Sequence, residues 1–311
     1  MHGRAVTVPA ATGGTPVAAA SAPTPPPTSP PASSTITAPS STVASPATPS
    51  PSSAGSPSPF PTPHAFIRLP KGVGHFSRAP TPALLASPRD RPVPILMYHV
   101  LGSPTAGDPY PELFVSAADF AAQMRYLVAQ HYTAVRLDQV VDFWHGRGRL
   151  PARPVVLTFD DGYRSDWAVA APILERIGWP GVLNLCLNSV KNGDLSPRLV
   201  TALVRAGWEI DDHSLTHPDM TTLDAAALRR ETVVSRRLLQ RISGQRVSFF
   251  SYPAGRYDDQ VIAALKAAGF KAATTEGPGL ARPRGDRFTL PRVRVASGMS
   301  LSDFAKALRT G

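Results

Sequence analysis

A chain of 311 residues with 32 Lys and Arg against 22 Asp and Glu carries a formal net charge of +10. Its single cysteine, Cys186, excludes an internal disulfide framework, and no apolar run reaches the roughly 18 residues of a transmembrane helix. The positive balance favours anionic neighbours such as an anionic cell-wall surface, while the lack of a dense basic run, zinc-finger spacing or stacking motif argues against nucleic acid.

The first 63 residues hold 16 prolines among Ser, Thr and Ala, with one charged residue, Arg4, and one aromatic, Phe60. That is too little apolar bulk to offset the entropy of ordering, so residues 1–63 read as a disordered Pro/Ser/Thr/Ala-rich stalk. Residues 64–92 bring Arg68, Lys71, Arg78, Arg89 and Arg91 among further prolines and read as a transitional linker. AAASAP resembles a small-residue cleavage site, but no strong apolar segment precedes it. A stalk suits an extracellular or cell-surface protein, without a clear export signal in this chain.

From Val93 onward, about 215 residues are enough for one large core. VPILMYHV (93–100) reads as a strand. SAADFAAQMRYLVAQH (116–131) reads as a helix, with Ser116 and Asp119 at capping-box spacing and Phe120, Met124 and Leu127 on one face. TAVRL is a short strand, DQVVDFWHGRG a helix, PVVLTFD a strand, and SDWAVAAPILERIG a helix kinked or split at its proline. GVLNLCL is a strand that takes Cys186 as a small apolar filler. SPRLVTALVRAG is a helix opening on Ser-Pro and closing on Gly, and WEIDDH is a strand. One long helix, DAAALRRETVVSRRLLQRISG, follows; then come the strand VSFFSYP, the helix DDQVIAALKAAG, the strands KAATT and FTLPRVRV, and the closing helix SLSDFAKALRT. Repeated strand–helix units predict an α/β fold. About seven strands in this length predict a closed or nearly closed βα barrel, with an open doubly wound sheet as the alternative.

In such barrels the chemistry sits at the C-terminal ends of the strands. Here those ends carry Tyr98-His99, Asp160-Asp161-Gly162, HSLTH (213–217), Tyr252-Pro253-Ala254-Gly255-Arg256 and Pro291-Arg292. If Ser214 to Thr216 form a helical turn, His213 and His217 face the same way, a spacing that suits one metal ion. A carboxylate from another strand end completes a two-histidine, one-carboxylate set with room for water. Two adjacent aspartates repel each other, and a cation beside them relieves that repulsion. A solvated turn with Asp capping the next helix is the plain alternative. An aspartyl-phosphate mechanism wants its second Asp two positions on, where Gly162 stands. Asp211 and Asp212 either orient ligands or point to solvent. Tyr163, Asn184, Trp208 and Tyr252 are candidates to touch substrate.

TFDDG (158–162), HSLTH, YPAG (252–255) and LPRVRV (290–295) resemble the motifs of the polysaccharide deacetylase family, the NodB-homology carbohydrate esterases, over roughly residues 93–305. The resemblance implies a distorted βα barrel and a divalent metal, zinc first, with cobalt, nickel or iron(II) as options. It implies removal of N-acetyl groups from GlcNAc-containing polysaccharide by a monomeric enzyme whose catalytic domain is residues 93–311. Asp160 would then be the catalytic base, and Asp161, His213 and His217 the metal ligands. Tyr252, Pro253, Ala254 and Gly255 would line the substrate and oxyanion position, the Ala254 amide facing the oxyanion. Two departures stand out. The family's arginine two residues before the motif proline is Ser251 here, so Arg292, with Arg256 as second choice, is expected to steady Asp160. No histidine follows His217, so His99 is expected to be the general acid. LMYH ahead of FDDG is similar to the circularly permuted subgroup acting on poly-N-acetylglucosamine. His131 and His145 lie at helix ends and read as helix-terminal residues. Peptidoglycan as the glycan, or a non-catalytic glycan-binding domain of the same fold, are the alternatives.

Overall fold

Seven of the expected strands run parallel around one barrel in the computed structural model, which describes residues 68–311. They are β1 (Ile95–Tyr98), β2 (Pro154–Asp161), β3 (Val182–Leu185), β4 (Glu209–Asp212), β5 (Phe249–Ser251), β6 (Ala272–Pro278) and β7 (Leu290–Arg294). Each pairs with the next, and β7 returns to β1 with Val293 opposite Leu96 and Arg294 opposite Met97. The sheet is therefore closed, and the open alternative is excluded. The stalk expected over residues 1–63 lies outside the described residues.

Closure gives each strand two buried faces. On one, Leu96, Tyr98, Leu157, Phe159, Leu183, Ile210 and Phe250 pack outward against the helices, including α1 (Ala117–Ala129). Tyr98 stacks on Phe159 with ring centroids 5.6 Å apart, and Phe159 meets Trp208 at 5.1 Å. Full burial of each such side chain contributes about 1.5–3 kcal/mol. The alternate residues Ile95, Val156, Val182, Phe249 and Leu290 form a second cluster with Leu137, Val140, Val141 and Phe143. Those last four belong to α2 (Leu137–Trp144), which closes the barrel floor. Above this apolar plug the inward residues become polar: Thr158, Asp160, Asn184, Asp211, Ser251, Thr274 and Arg292, all buried. The strands are thus apolar below and polar above.

Several local expectations change. The helix expected to kink or split at Pro172 is divided just before it, into a π turn, Asp166–Ala170, and α3 (Ala171–Ile177), with the proline in the first turn of α3. The long helix is interrupted by a second π turn, Arg230–Val234, between Ala225–Arg229 and Ser235–Ser243. A π turn inserts a residue and rotates the side chains that follow, which periodicity alone does not reveal. The described part of the linker packs on the domain. Val73 and Phe76 are buried, and the Arg125 guanidinium lies 4.7 Å from the Phe76 ring. Ala79 donates its N–H to the Ile177 carbonyl at 2.8 Å, and Leu84–Leu85 pairs antiparallel with Leu150–Pro151. Among the described residues no helix is long and apolar enough to cross a membrane.

Candidate active site

Strand β2 delivers two aspartates to different surroundings. Asp160 faces the lumen and is 1% exposed. The Arg292 guanidinium grips it with a two-toothed fork, one N–H to Oδ1 at 2.8 Å and another to Oδ2 at 2.7 Å. Asn184 donates to Oδ1 at 2.7 Å, and the Ser251 hydroxyl reaches Oδ2 at 3.5 Å. Arg292 is itself fixed, donating to the Thr275 carbonyl at 2.9 Å and the Thr158 hydroxyl at 3.1 Å. Burial alone would raise the Asp160 carboxyl, but the Arg292 charge and hydrogen bonds override it and hold the group well below the usual carboxylate range. Arg256, the second choice for this partner, pairs instead with Asp219 at 2.6 Å.

Asp161 turns away from the lumen. Its φ is 72°, Gly162 follows at 87°, and the Gly162 N–H donates to the Asp160 carbonyl at 2.9 Å. This tight reversal swings the Asp161 carboxylate toward the end of β4. A Cβ on Gly162 would overlap the Leu185 methyl, and its φ disfavours any L side chain. Gly162→Ala is expected to cost about 1–3 kcal/mol, read as a lowered thermal midpoint. An unchanged midpoint would mean that the loop relaxes freely.

The histidine segment is not the helical turn expected from its spacing. Residues 213–217 form a bend with Ser214 at φ 68° and His217 at 60°. Buried carboxylates clamp it. Asp212 accepts the Ser214 N–H at 2.9 Å and the Ser235 hydroxyl at 2.7 Å. Glu231, on the π turn, accepts the N–H groups of Leu215 and Thr216 and the Thr216 hydroxyl, each at 2.9 Å. Sequence reading missed Glu231, because only the π turn aims it inward. It left Asp212 undecided; burial has pushed that carboxyl up to about 8. Asp211 lies inside the barrel, buried, and its carboxylate has no hydrogen bond to a histidine and does not meet solvent.

His213 directs Nδ1 at the Ser251 carbonyl, 2.8 Å away, which leaves Nε2 facing Asp161. Its Nε2 is 3.3 Å from Asp161 Oδ1, and His217 Nε2 is 3.4 Å from the same oxygen. The three donor atoms all lie within 4.8 Å of one another. Tetrahedral zinc with bonds of about 2.0–2.1 Å separates neighbouring donors by roughly 3.3 Å, so the two measured edges fit. A backbone acceptor on the far histidine nitrogen is the usual means of aiming a ligand imidazole. This donor set of two nitrogens and one carboxylate oxygen fits a divalent cation.

His99 is buried at the tip of β1. Burial lowers its pKa, opposed by the nearby charges of Asp160 and Asp161. The YPAG turn is less uniform than expected. Tyr252 is fully buried, donating its hydroxyl to the Phe288 carbonyl and its N–H to the Thr274 carbonyl, so it supports the loop and its ring cannot touch a glycan. Pro253 is buried and has no N–H, and the Gly255 N–H is bonded to the Tyr252 carbonyl. Ala254 is exposed with φ 50°, and its amide takes part in neither bond of this turn. Trp208 is buried under the strands, and Asn184 is spent on Asp160, so neither is a sugar contact; Tyr163 is half-buried beside Asp161. Of the five non-glycine residues with positive φ among the described residues, only His131 lies outside this site. Such conformations cost of order 1–3 kcal/mol each and persist where the surroundings dictate them. His145 is at a helix end, its Nδ1 2.7 Å from the Val141 carbonyl.

The family model described as polysaccharide deacetylase matches residues 147–273. YxkH of Bacillus subtilis, named for the same family, is 27% identical over 225 residues, covering 72% of this chain and 78% of that protein. The poly-beta-1,6-N-acetyl-D-glucosamine N-deacetylase of Staphylococcus epidermidis is 22% identical over 201 residues, covering 59% and 68%. The crystal structure of a polysaccharide deacetylase from Bacillus cereus superimposes with a TM-score of 0.64 at 26% identity, covering 71% of this chain and 70% of that one. With TFDDG, HSLTH and YPAG at adjoining strand ends of a closed barrel, the chain carries a polysaccharide deacetylase domain of the NodB-homology, carbohydrate esterase 4 type.

Proposed function

We propose that residues 93–311 form a divalent-metal-dependent hydrolase that removes N-acetyl groups from a GlcNAc-containing polysaccharide of the poly-N-acetylglucosamine kind. The observation that carries this reading is the adjacency of two units: Asp160 locked by Arg292, and Asp161, His213 and His217 converging on one point. The fork from Arg292 also answers the absence of an arginine at Ser251, which is what would otherwise favour an inert glycan-binding domain.

Asp161, His213 and His217 would hold the cation, zinc first by the chemistry of the donors. When bound, such a cation supplies Lewis acidity, polarising a carbonyl and making a water acidic near neutral pH. Asp160 stays ionised at neutral pH and accepts the proton of the water that attacks the acetamide carbon. Arg292 prevents that carboxylate from rotating or protonating. The Ala254 amide donates to the oxygen that gains charge as the carbonyl carbon becomes tetrahedral. His99 supplies the proton to the amine nitrogen as the C–N bond breaks, and acetate and a free amine leave.

The deciding measurement is acetate release by the full chain from poly-N-acetylglucosamine and from peptidoglycan, with and without chelator. Release is expected to favour the first glycan, to vanish with chelator and to return with zinc, cobalt, nickel or iron(II). Release from peptidoglycan alone would reassign the substrate. Retained glycan affinity with no acetate from either would make this a binding domain. His213→Ala is expected to lower the bound metal severalfold and abolish release, with metal content read directly on the purified protein. Full metal occupancy in that variant would remove His213 from the ligand set.

A further inference from the structure

The face opposite the site has its own cavity. Residues 78–85 cross the N-terminal ends of the strands, pinned by the Ala79–Ile177 bond and by the Leu84–Leu85 pairing with Leu150–Pro151. Between this strap and the barrel lies a hollow of about 540 Å³ whose lining includes Arg78, Arg136, Arg149, Arg205, Glu175 and Trp179. Arginines from four separate segments line it together with one carboxylate residue, Glu175. Arg136 is shared with Asp138, while Arg78 and Arg149 are exposed and make no ion pair among the described residues. Like charges repel when brought to one concavity, and an oxyanion relieves that repulsion.

A second hollow, of about 360 Å³, lies at the other end of α2 and is lined by Lys266, Arg282 and Arg287 together with Asp286, His145 and Trp144. Arg136 and Gln139 line the first hollow and Val141 and Trp144 the second, so α2 forms a low ridge between two basic basins. A single small anion would need one basin. Two basins on one ridge suit a chain with repeated charges. Arginine, which dominates here over lysine, forks onto phosphate and carboxylate oxygens alike. Strand β2 starts at this floor and ends at Asp161, which puts the floor about 23 Å from the site along the strand.

We propose that the barrel floor is a binding site for a linear polymer bearing repeated oxyanions, phosphate or carboxylate, seated in the hollow of Arg78, Arg136, Arg149 and Arg205. It holds the protein on an anionic matrix while the opposite mouth stays open. The strap that carries Arg78 is then part of the binding surface. The floor has no part in the proposed hydrolysis, so its binding is measured without any acetate release, and failure of either reading leaves the other standing.

The test uses the full chain with sodium polyphosphate, with polygalacturonate and with neutral N-acetylglucosamine oligomers, by calorimetry at several salt concentrations. At least one polyanion is expected to bind, more weakly as salt rises, and which one binds identifies phosphate or carboxylate as the natural group. The double substitution Arg78→Glu, Arg149→Glu is expected to weaken that binding at least tenfold, with release of acetate from soluble oligomers within about twofold of the parent. Arg229→Glu, Arg230→Glu removes the same charge from an exposed helix surface elsewhere and is expected to leave binding within about twofold. Should the first double variant fold poorly, Arg149→Gln alone, on an exposed loop, is expected to weaken binding about threefold. Equal losses from both double variants would reduce the effect to net charge and overturn the site. So would unchanged binding in the floor variants, or binding to phosphatidylglycerol vesicles with no binding to either polymer.

Discussion

Asp160→Asn is expected to leave the metal in place and lower acetate release by roughly 10²–10⁴-fold. The three donor atoms proposed to hold the metal belong to Asp161, His213 and His217, and none belongs to residue 160. An asparagine keeps the shape and one acceptor oxygen for Arg292 but cannot take a proton from water. The substitution also leaves a fully buried guanidinium without its counter-charge, so the thermal midpoint should fall. Removing one partner of a buried ion pair costs about 3–5 kcal/mol, less where hydrogen bonds survive. The rate must therefore be measured on folded, metal-assayed protein. Near-full acetate release from such a sample would take the base role away from Asp160.

Arg292→Met is expected to be the most destabilising single change at this site, by about 3–5 kcal/mol, because it strands a carboxylate that is 1% exposed. In the parent, Arg292 outweighs burial and depresses the Asp160 pKa. That depressed group contributes stability which is present above its unfolded value and lost as pH falls toward its folded one. Without the guanidinium, burial prevails and the folded pKa moves above the unfolded value. The variant should then be relatively more stable in acid than at neutral pH, and the acid limb of its rate profile should move upward. Arg292→Lys keeps a charge but not the planar fork, and should recover stability better than rate. An acid limb in Arg292→Met superimposable on the parent's would show that the pair does not set the ionisation of Asp160.

Part of this site was legible in the residues. The inward alternation of Thr158 and Asp160 follows from the strand period, and Gly162 after the paired aspartates announces a reversal that other residues resist. Arg292 is the first choice as partner of Asp160 from its place near a late strand end, with Arg256 second, and sequence distance alone does not separate them. The choice falls to Arg292 because closure sets β7 beside β1 and aims position 292 into the lumen, while Arg256 points outward to Asp219. Tyr252 and Trp208, candidates to touch substrate on sequence, are buried for a related reason. An aromatic near a strand end looks available to a sugar until helices and neighbouring strands cover it.

The amino-acid order alone determined the alternation of strands and helices and the polar tips of the strands, because these depend on periodicities and turn chemistry within a few neighbours; which of those tips work together was implied by the family resemblance of their motifs. Tertiary structure decided what depends on residues far apart in the chain. Barrel closure, the bend that replaces a helical turn between His213 and His217, the inward aim of Glu231 after a π turn, and the basic floor beneath the strap all arise from packing. The physical reason is that hydrogen-bond donors, left-handed backbone and buried charge are tolerated only where distant segments arrive to compensate them, and no local pattern encodes that arrival.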